Sequence, residues 1–182
     1  MTAPAPSISE LQYPIGKFNY AGPLTAAQRA QCIDDIAATP KNLRAAAAGL
    51  SPEQIETPYR DGGWSIRQVL HHVPESHMNA FLRFKWALTE DQPNIKAYKE
   101  AEWAKTPDVA KTPVETSLTL LDALHERWVN LLRSMSPADF DRKLNHPENG
   151  PMTLDKMLAL YSWHGKHHAA HITGLKQRKG WK

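Results

Sequence analysis

Apolar residues return every three or four positions in three long stretches of the chain, the spacing that lays a hydrophobic stripe along one face of a helix. Ile66, Val69, Leu70, Val73, Phe81, Phe84 and Leu88 form one stripe. Leu118, Leu121, Leu124, Trp128, Leu131 and Leu132 form a second, and Leu154, Leu158, Tyr161, Ile172 and Leu175 a third. Helix-start signals precede them. Ser65-Ile66-Arg67-Gln68 and Thr112-Pro113-Val114-Glu115 have the form of capping boxes, in which two side chains satisfy the amide groups that open a helix. Thr153 is placed to cap the third stripe and Gly180 to stop it. An earlier helix is predicted from the capping box Thr25-Ala26-Ala27-Gln28 to about Leu50, disturbed at Pro40, which has no amide donor. Pro74 is expected to kink or split the helix that follows Ser65.

Short turns begin at Ser51-Pro52-Glu53-Gln54 and Ser136-Pro137-Ala138-Asp139, and breakers cluster at Asp61-Gly62-Gly63 and at His146-Pro147-Glu148-Asn149-Gly150-Pro151. Residues 91–111 have no periodic pattern, although they carry Tyr98, Glu100 and Trp103, and a connection of that length is often functional. Residues 1–24, rich in Pro, Ala and Ser, read as an extended arm, and 25–182 as a single domain. No stretch reads as a strand. Four long helices predict an all-α four-helix bundle, an architecture whose metal sites are built from side chains on facing helices.

Composition narrows the class further. The 182 residues, 41% of them hydrophobic, suffice for one proper core. No apolar run approaches the roughly 18 residues that span a bilayer, and the first ten residues carry neither a basic segment nor an apolar core of an export signal. A single cysteine, Cys32, excludes an internal disulfide and agrees with a cytoplasmic location. Its neighbours Ile33 and Ile36 mark it as a small buried apolar residue. The net charge of +3 is mild and dispersed apart from a short basic tail, Lys176 to Lys182, unlike a nucleic-acid module.

The chemistry lies in the histidines. Four of nine fall within eight residues of the last helix: His164, His167, His168 and His171. Side chains three or four apart share a helix face, so His164 pairs with His168 and His167 with His171, and two imidazoles one turn apart hold a first-row metal ion. At about 100° per residue, His168 falls near the middle of the apolar face and His164 about 40° from it, which favours that pair. A third ligand must come from upstream. His71, His72 and His77 compete; the same wheel places His77 in the apolar face, with His72 on its flank and His71 nearly opposite, and spacing alone does not decide. His125 follows a leucine stripe as a core or rim residue, and His146 sits in a turn as a surface one.

Tyr13-Pro14-Ile15-Gly16, the run Thr57 to Val69 containing Gly62-Gly63-Trp64-Ser65, His71-His72 with Ser76-His77-Met78-Asn79, Arg83-Phe84-Lys85, Leu88-Thr89-Glu90, and Trp163-His164 with His167-His168 and Ala170-His171-Ile172 together resemble the YfiT family of metal-dependent hydrolases, within the DinB-like superfamily of four-helix bundles. The resemblance implies one zinc ion per chain, with nickel as the alternative, held by His72, His164 and His168. Val73-Pro74 departs from the Leu-Ala associated with that place. The resemblance also implies a small-molecule substrate, a homodimer, and hydrolysis by a metal-activated water. Glu75, or Glu100 in the long loop, would serve as the base, while His77, His167 and His171 would orient the ligands. Relatives in the superfamily imply an alternative, transfer of a low-molecular-weight thiol activated by the metal. A non-catalytic metal-binding or stress-response role is the reading from another class.

Overall fold

The structure, a computed structural model, describes residues 6–181. In chain order its helices are α1 (Ile8–Gln12), α2 (Ala26–Ala47), α3 (Pro52–Ile55), α4 (Ile66–Thr89), α5 (Glu100–Trp103), α6 (Pro107–Lys111), α7 (Val114–Ser134) and α8 (Leu154–Lys179). A 3₁₀ turn (Pro137–Asp141) and a hairpin of β1 (Lys143–His146) and β2 (Gly150–Thr153) stand between α7 and α8. The long helices α2, α4, α7 and α8 make the bundle, and the capping boxes at Thr25, Ser51 and Ser65 form as the pattern requires. Thr153 caps α8, and Gly180 ends it in the left-handed conformation.

Side-chain pairs fix the helix directions. Arg29 meets Asp155, Asp35 meets Ser162, and Lys176 donates to the Ala48 carbonyl, so α2 and α8 run parallel. His71 with Ser117, His77 with His125 and Phe84 with Trp128 make α4 and α7 parallel as well. Arg44 with Glu115, the Ile36 carbonyl with His125, and Asp34 with Arg133 set α2 against α7. His72 with His168 and Ser76 with Tyr161 set α4 against α8. The order is therefore up, down, down, up. Two consecutive parallel neighbours oblige the chain to return the length of a 24-residue helix between them, about 36 Å at 1.5 Å per residue. Residues 90–113 make that return, which explains the long connection.

Several expectations are corrected. The arm is not extended throughout, because Ser7 boxes the short helix α1; residues 1–5 lie outside the described residues. The connection carries α5 and α6. A strand pair exists, with register Leu144 opposite Met152, and each strand of four residues is too short to show a period in sequence. Helices α2 and α4 continue through Pro40 and Pro74, both buried where packing holds the turn a missing amide weakens. The box expected at Thr112 does not form: α7 begins at Val114 without a side-chain cap, and Glu115 is engaged by Arg44.

The core divides in two. Phe84, Trp128, Leu132, Leu154, Leu158 and Tyr161 belong to one apolar cluster; Leu43, Val69, Leu70, Leu121, Ile172 and Leu175 belong to the other. His77 on α4, His125 on α7 and His164, His167, His168 and His171 on α8 fall between these halves along their helices, so a polar layer crosses the middle of the bundle. The arm closes over α8. The Trp163 indole and His171 Nε2 donate to the Gly16 and Gln12 carbonyls. Buried Asp155 accepts from Tyr20, the Leu24 amide and Arg29.

Candidate metal centre

Helix spacing puts His164 and His168 one turn apart on α8, and antiparallel packing brings His72 of α4 between them. The ring centroids of His72 lie 5.4 Å from His164 and 4.9 Å from His168. One nitrogen from each of the three rings falls in a set whose members lie within 4.8 Å of one another. Nitrogens bound to a tetrahedral zinc at about 2.0–2.1 Å stand roughly 3.4 Å apart, so the rings need only a small adjustment to share an ion. His77 is not in this set; it lies behind it. Close approach of α8 to α2 makes the arrangement possible. A Cβ on Gly165 would stand 2.4 Å from Thr39 Oγ1, so only glycine lets the helices come so near beside His164.

Protonation states follow from burial. Desolvation pushes His72 down to about 4. It holds His164 and His168 well below the ordinary imidazole range, and the neighbouring rings add to the effect. All three are neutral at pH 7, the form that binds metal. His72 Nδ1 and His168 Nδ1 are sealed from solvent and have no hydrogen-bond partner, a condition that costs stability unless something meets the nitrogen.

A chain of three hydrogen bonds determines which nitrogen of His164 is free. The Ile36 carbonyl, 2.7 Å from His125 Nδ1, only accepts, so that nitrogen carries the proton. His125 is neutral, since burial brings it to about 4, and its Nε2 must therefore accept from His77 Nδ1 at 2.9 Å. Burial likewise keeps His77 neutral, so its Nε2 accepts from His164 Nδ1 at 3.1 Å. The lone pair of His164 is thereby left on Nε2. A backbone carbonyl of α2, acting through two rings, fixes the tautomer of a residue on α8. Donor set and charge state fit a divalent ion of the zinc type.

The three rings form one wall of a cavity of about 370 Å³, whose other walls include Trp64, Ser76, Tyr161, Arg83, Tyr98, Glu100 and His146. That volume suits a small molecule. Glu100 stands on the cavity. Glu75 is not part of its lining; burial raises its carboxyl, and the Asp108 charge adds to the shift. His167 and His171 lie to the other side of α8, beneath the arm, where His167 stacks on Trp163 and His171 on Tyr59. His146, expected at the surface, is half-buried in the cavity wall because the hairpin folds over the bundle end. Arg83 belongs to the Arg83-Phe84-Lys85 run that carries the family resemblance, but sequence reasoning gave it no role at the site; the structure places it on the cavity wall.

The fold and the histidine cluster point to one class of protein, and the comparisons agree. The model of the DinB superfamily matches residues 35–172. A protein of Bacillus mycoides named "Putative metal-dependent hydrolase" is 51% identical over 174 residues, covering 96% of this chain and 100% of its own. A Bacillus cereus protein of the same name is 50% identical over the same shares. Among solved structures, YfiT from Bacillus subtilis, described as "a probable metal-dependent hydrolase with an unusual four-helix bundle topology", superposes with a TM-score of 0.92 at 41% identity, covering 95% of this chain and 99% of that one. The four-helix bundle protein TT2238 shares the fold alone, at TM-score 0.55 and 18% identity. This chain belongs to the YfiT family of the DinB superfamily.

Proposed function

We propose that the chain is a metal-dependent hydrolase in which His72, His164 and His168 hold one zinc ion, nickel being the alternative. The observation that carries this reading is the convergence of three neutral imidazoles, two with a sealed and unpartnered nitrogen, on the wall of a cavity of small-molecule size. A divalent ion bound by three histidines acts as a Lewis acid and lowers the pKa of a coordinated water toward 7 in favourable sites.

The protein's own groups do the rest. His77 and His125 hold His164 in one tautomer and one orientation. Trp64, tilted over His72 with ring centroids 4.6 Å apart, shields that side from water. Tyr161 stands 5.5 Å, ring to ring, from His164 and offers a neutral hydroxyl, since burial raises its pKa. Glu100, on a connecting helix at the cavity rim, would act as the base that takes a proton from an entering nucleophile. The names of the Bacillus relatives support hydrolysis as the reaction class.

The test is activity of zinc-loaded and metal-stripped protein on activated esters, with and without small thiols. Ester turnover that needs zinc but no thiol is the expected result. Turnover of an aryl halide that requires thiol would replace hydrolysis by thiol transfer, and no turnover with tight zinc binding would leave a metal-binding protein.

A further inference from the structure

The cavity holds a second chemical feature beside its histidines. Arg83, on α4, is 7% exposed and lines the cavity. Its guanidinium has five N–H donors, yet among the described residues only two neutral acceptors stand against it, the Lys96 carbonyl at 3.1 Å from Nη2 and the Tyr161 hydroxyl. No carboxylate of the described residues lies within 4.0 Å of it. Glu100 and Glu148 line the same cavity without reaching it. None of its nitrogens is among the sealed, unpartnered atoms of the described residues, and the side chain borders the cavity beside Tyr161. A buried cation without a counter-ion is costly and is retained where an anion completes it.

His146 extends the same wall. Its Nδ1 accepts from the Glu148 and Asn149 amides at 3.2 and 3.3 Å. In the neutral ring this leaves the proton on Nε2, so the side chain is a donor at a cavity wall that Arg83 shares.

Position sets the length of the missing partner. Arg83 follows His72 by eleven residues on α4, about 20° round the helix and about 16 Å along it. The two residues therefore share a face. Long side chains on a helix lean toward its N-terminus, which brings the guanidinium back toward the histidines.

We propose that the cavity takes a substrate bearing a carboxylate several bonds from its reactive group, with Arg83 gripping the carboxylate as a two-pronged donor while the reactive end lies against the histidine wall. The planar fork of arginine matches a carboxylate in a way that a neutral tail does not. The proposal deepens the hydrolase reading and rests on it for the reactive end; the anion grip itself stands apart from the metal.

Two 4-nitrophenyl esters of equal length form the test, the hexanoate and the mono-ester of adipic acid, which differ in a terminal methyl against a carboxylate. On zinc-loaded protein the anionic ester is expected to show a kcat/KM at least tenfold higher, carried by KM, and Arg83→Gln to collapse that ratio to about one. Arg83→Lys, which keeps the charge and loses the fork, should give an intermediate ratio and serves where the glutamine variant does not fold. A ratio near one in the unaltered protein, or one that survives in Arg83→Gln, overturns the proposal. If neither ester turns over, the hydrolase reading fails, and calorimetry on metal-free protein decides the grip. Hexanoate is then expected to bind at least tenfold tighter than hexanamide, with the difference lost in Arg83→Gln, and equal binding of the two refutes it.

Discussion

Replacing His77 tests the internal logic of the site without touching any of the three proposed ligands. In His77→Leu, His164 Nδ1–H loses its acceptor and His125 Nε2 its donor, bonds of 3.1 and 2.9 Å, the first part-buried and the second buried. Each group left unpaired costs about 1–3 kcal/mol, so the melting point should fall. The more telling effect is on the metal. Without an acceptor for Nδ1–H, His164 can take the other tautomer, which presents N–H where the lone pair is needed. Removing a partner that orients a ligand in this way lowers metal affinity by about 10–100-fold, which is about 1.4–2.7 kcal/mol. His77→Gln separates loss of the bond from loss of the ring, because an amide oxygen can accept from His164 while its N–H₂ donates to His125. The assay is competition for zinc against a chromophoric chelator, with circular dichroism confirming the helical fold. The expected order is unaltered protein, then His77→Gln within about tenfold, then His77→Leu. Nitrogen shifts of His164 should report Nδ1 protonated in the first two. A leucine variant that folds and binds zinc within threefold of the unaltered protein would refute the tautomer argument.

Other outcomes can be checked alongside. His168→Ala should abolish stoichiometric zinc in the purified protein while leaving the helical signal intact, as metal analysis and circular dichroism would show. Gly165→Ala places a Cβ 2.4 Å from Thr39 Oγ1; overpacking of this kind costs about 1–3 kcal/mol, measurable by urea unfolding, and it should weaken zinc binding by moving His164. Asp155→Ala leaves Arg29 unpaired and frees Tyr20 and the Leu24 amide; breaking such a buried pair costs about 3–5 kcal/mol, and limited proteolysis should cut the arm faster. Metal-free protein should lose stability in mild acid. His72 and His125 are depressed to about 4 when folded, whereas an unfolded histidine titrates near 6.5. The unfolded chain therefore binds more protons between those values, and stability falls as pH drops from about 6.5 toward 4, by about 2 kcal/mol per histidine at pH 5. Denaturant titrations from pH 7.5 to 5 should show this slope, and a flat profile would contradict it.

How much of this was legible along the chain depends on the range of each interaction. Capping boxes at Thr25, Ser51 and Ser65, the stop at Gly180 and the three apolar stripes are local, involving residues a few positions apart, and each was readable. So was the pairing of His164 with His168, because one helical turn is itself a local relation. The choice between His72 and His77 was not, because both lie near the apolar face of α4. What separates them is the set of partners each meets on other helices: His72 groups with both His164 and His168, whereas His77 bridges His164 to His125 behind them. The missing box at Thr112 and the role of His146 escaped for the same reason, since contacts from distant segments outweigh local preference, whereas the hairpin escaped because strands of four residues are too short to show a period.

Local chemistry along the chain thus determined the four rods, their ends and the histidine-rich character of the last one. Tertiary structure alone decided the parallel pairing that forces the long crossover. It also decided the tautomer of His164, set by a carbonyl on α2, and the isolation of the Arg83 charge in the same cavity. These depend on which groups from distant segments exclude water together, and burial is a property of the assembled bundle that no single stretch of residues possesses.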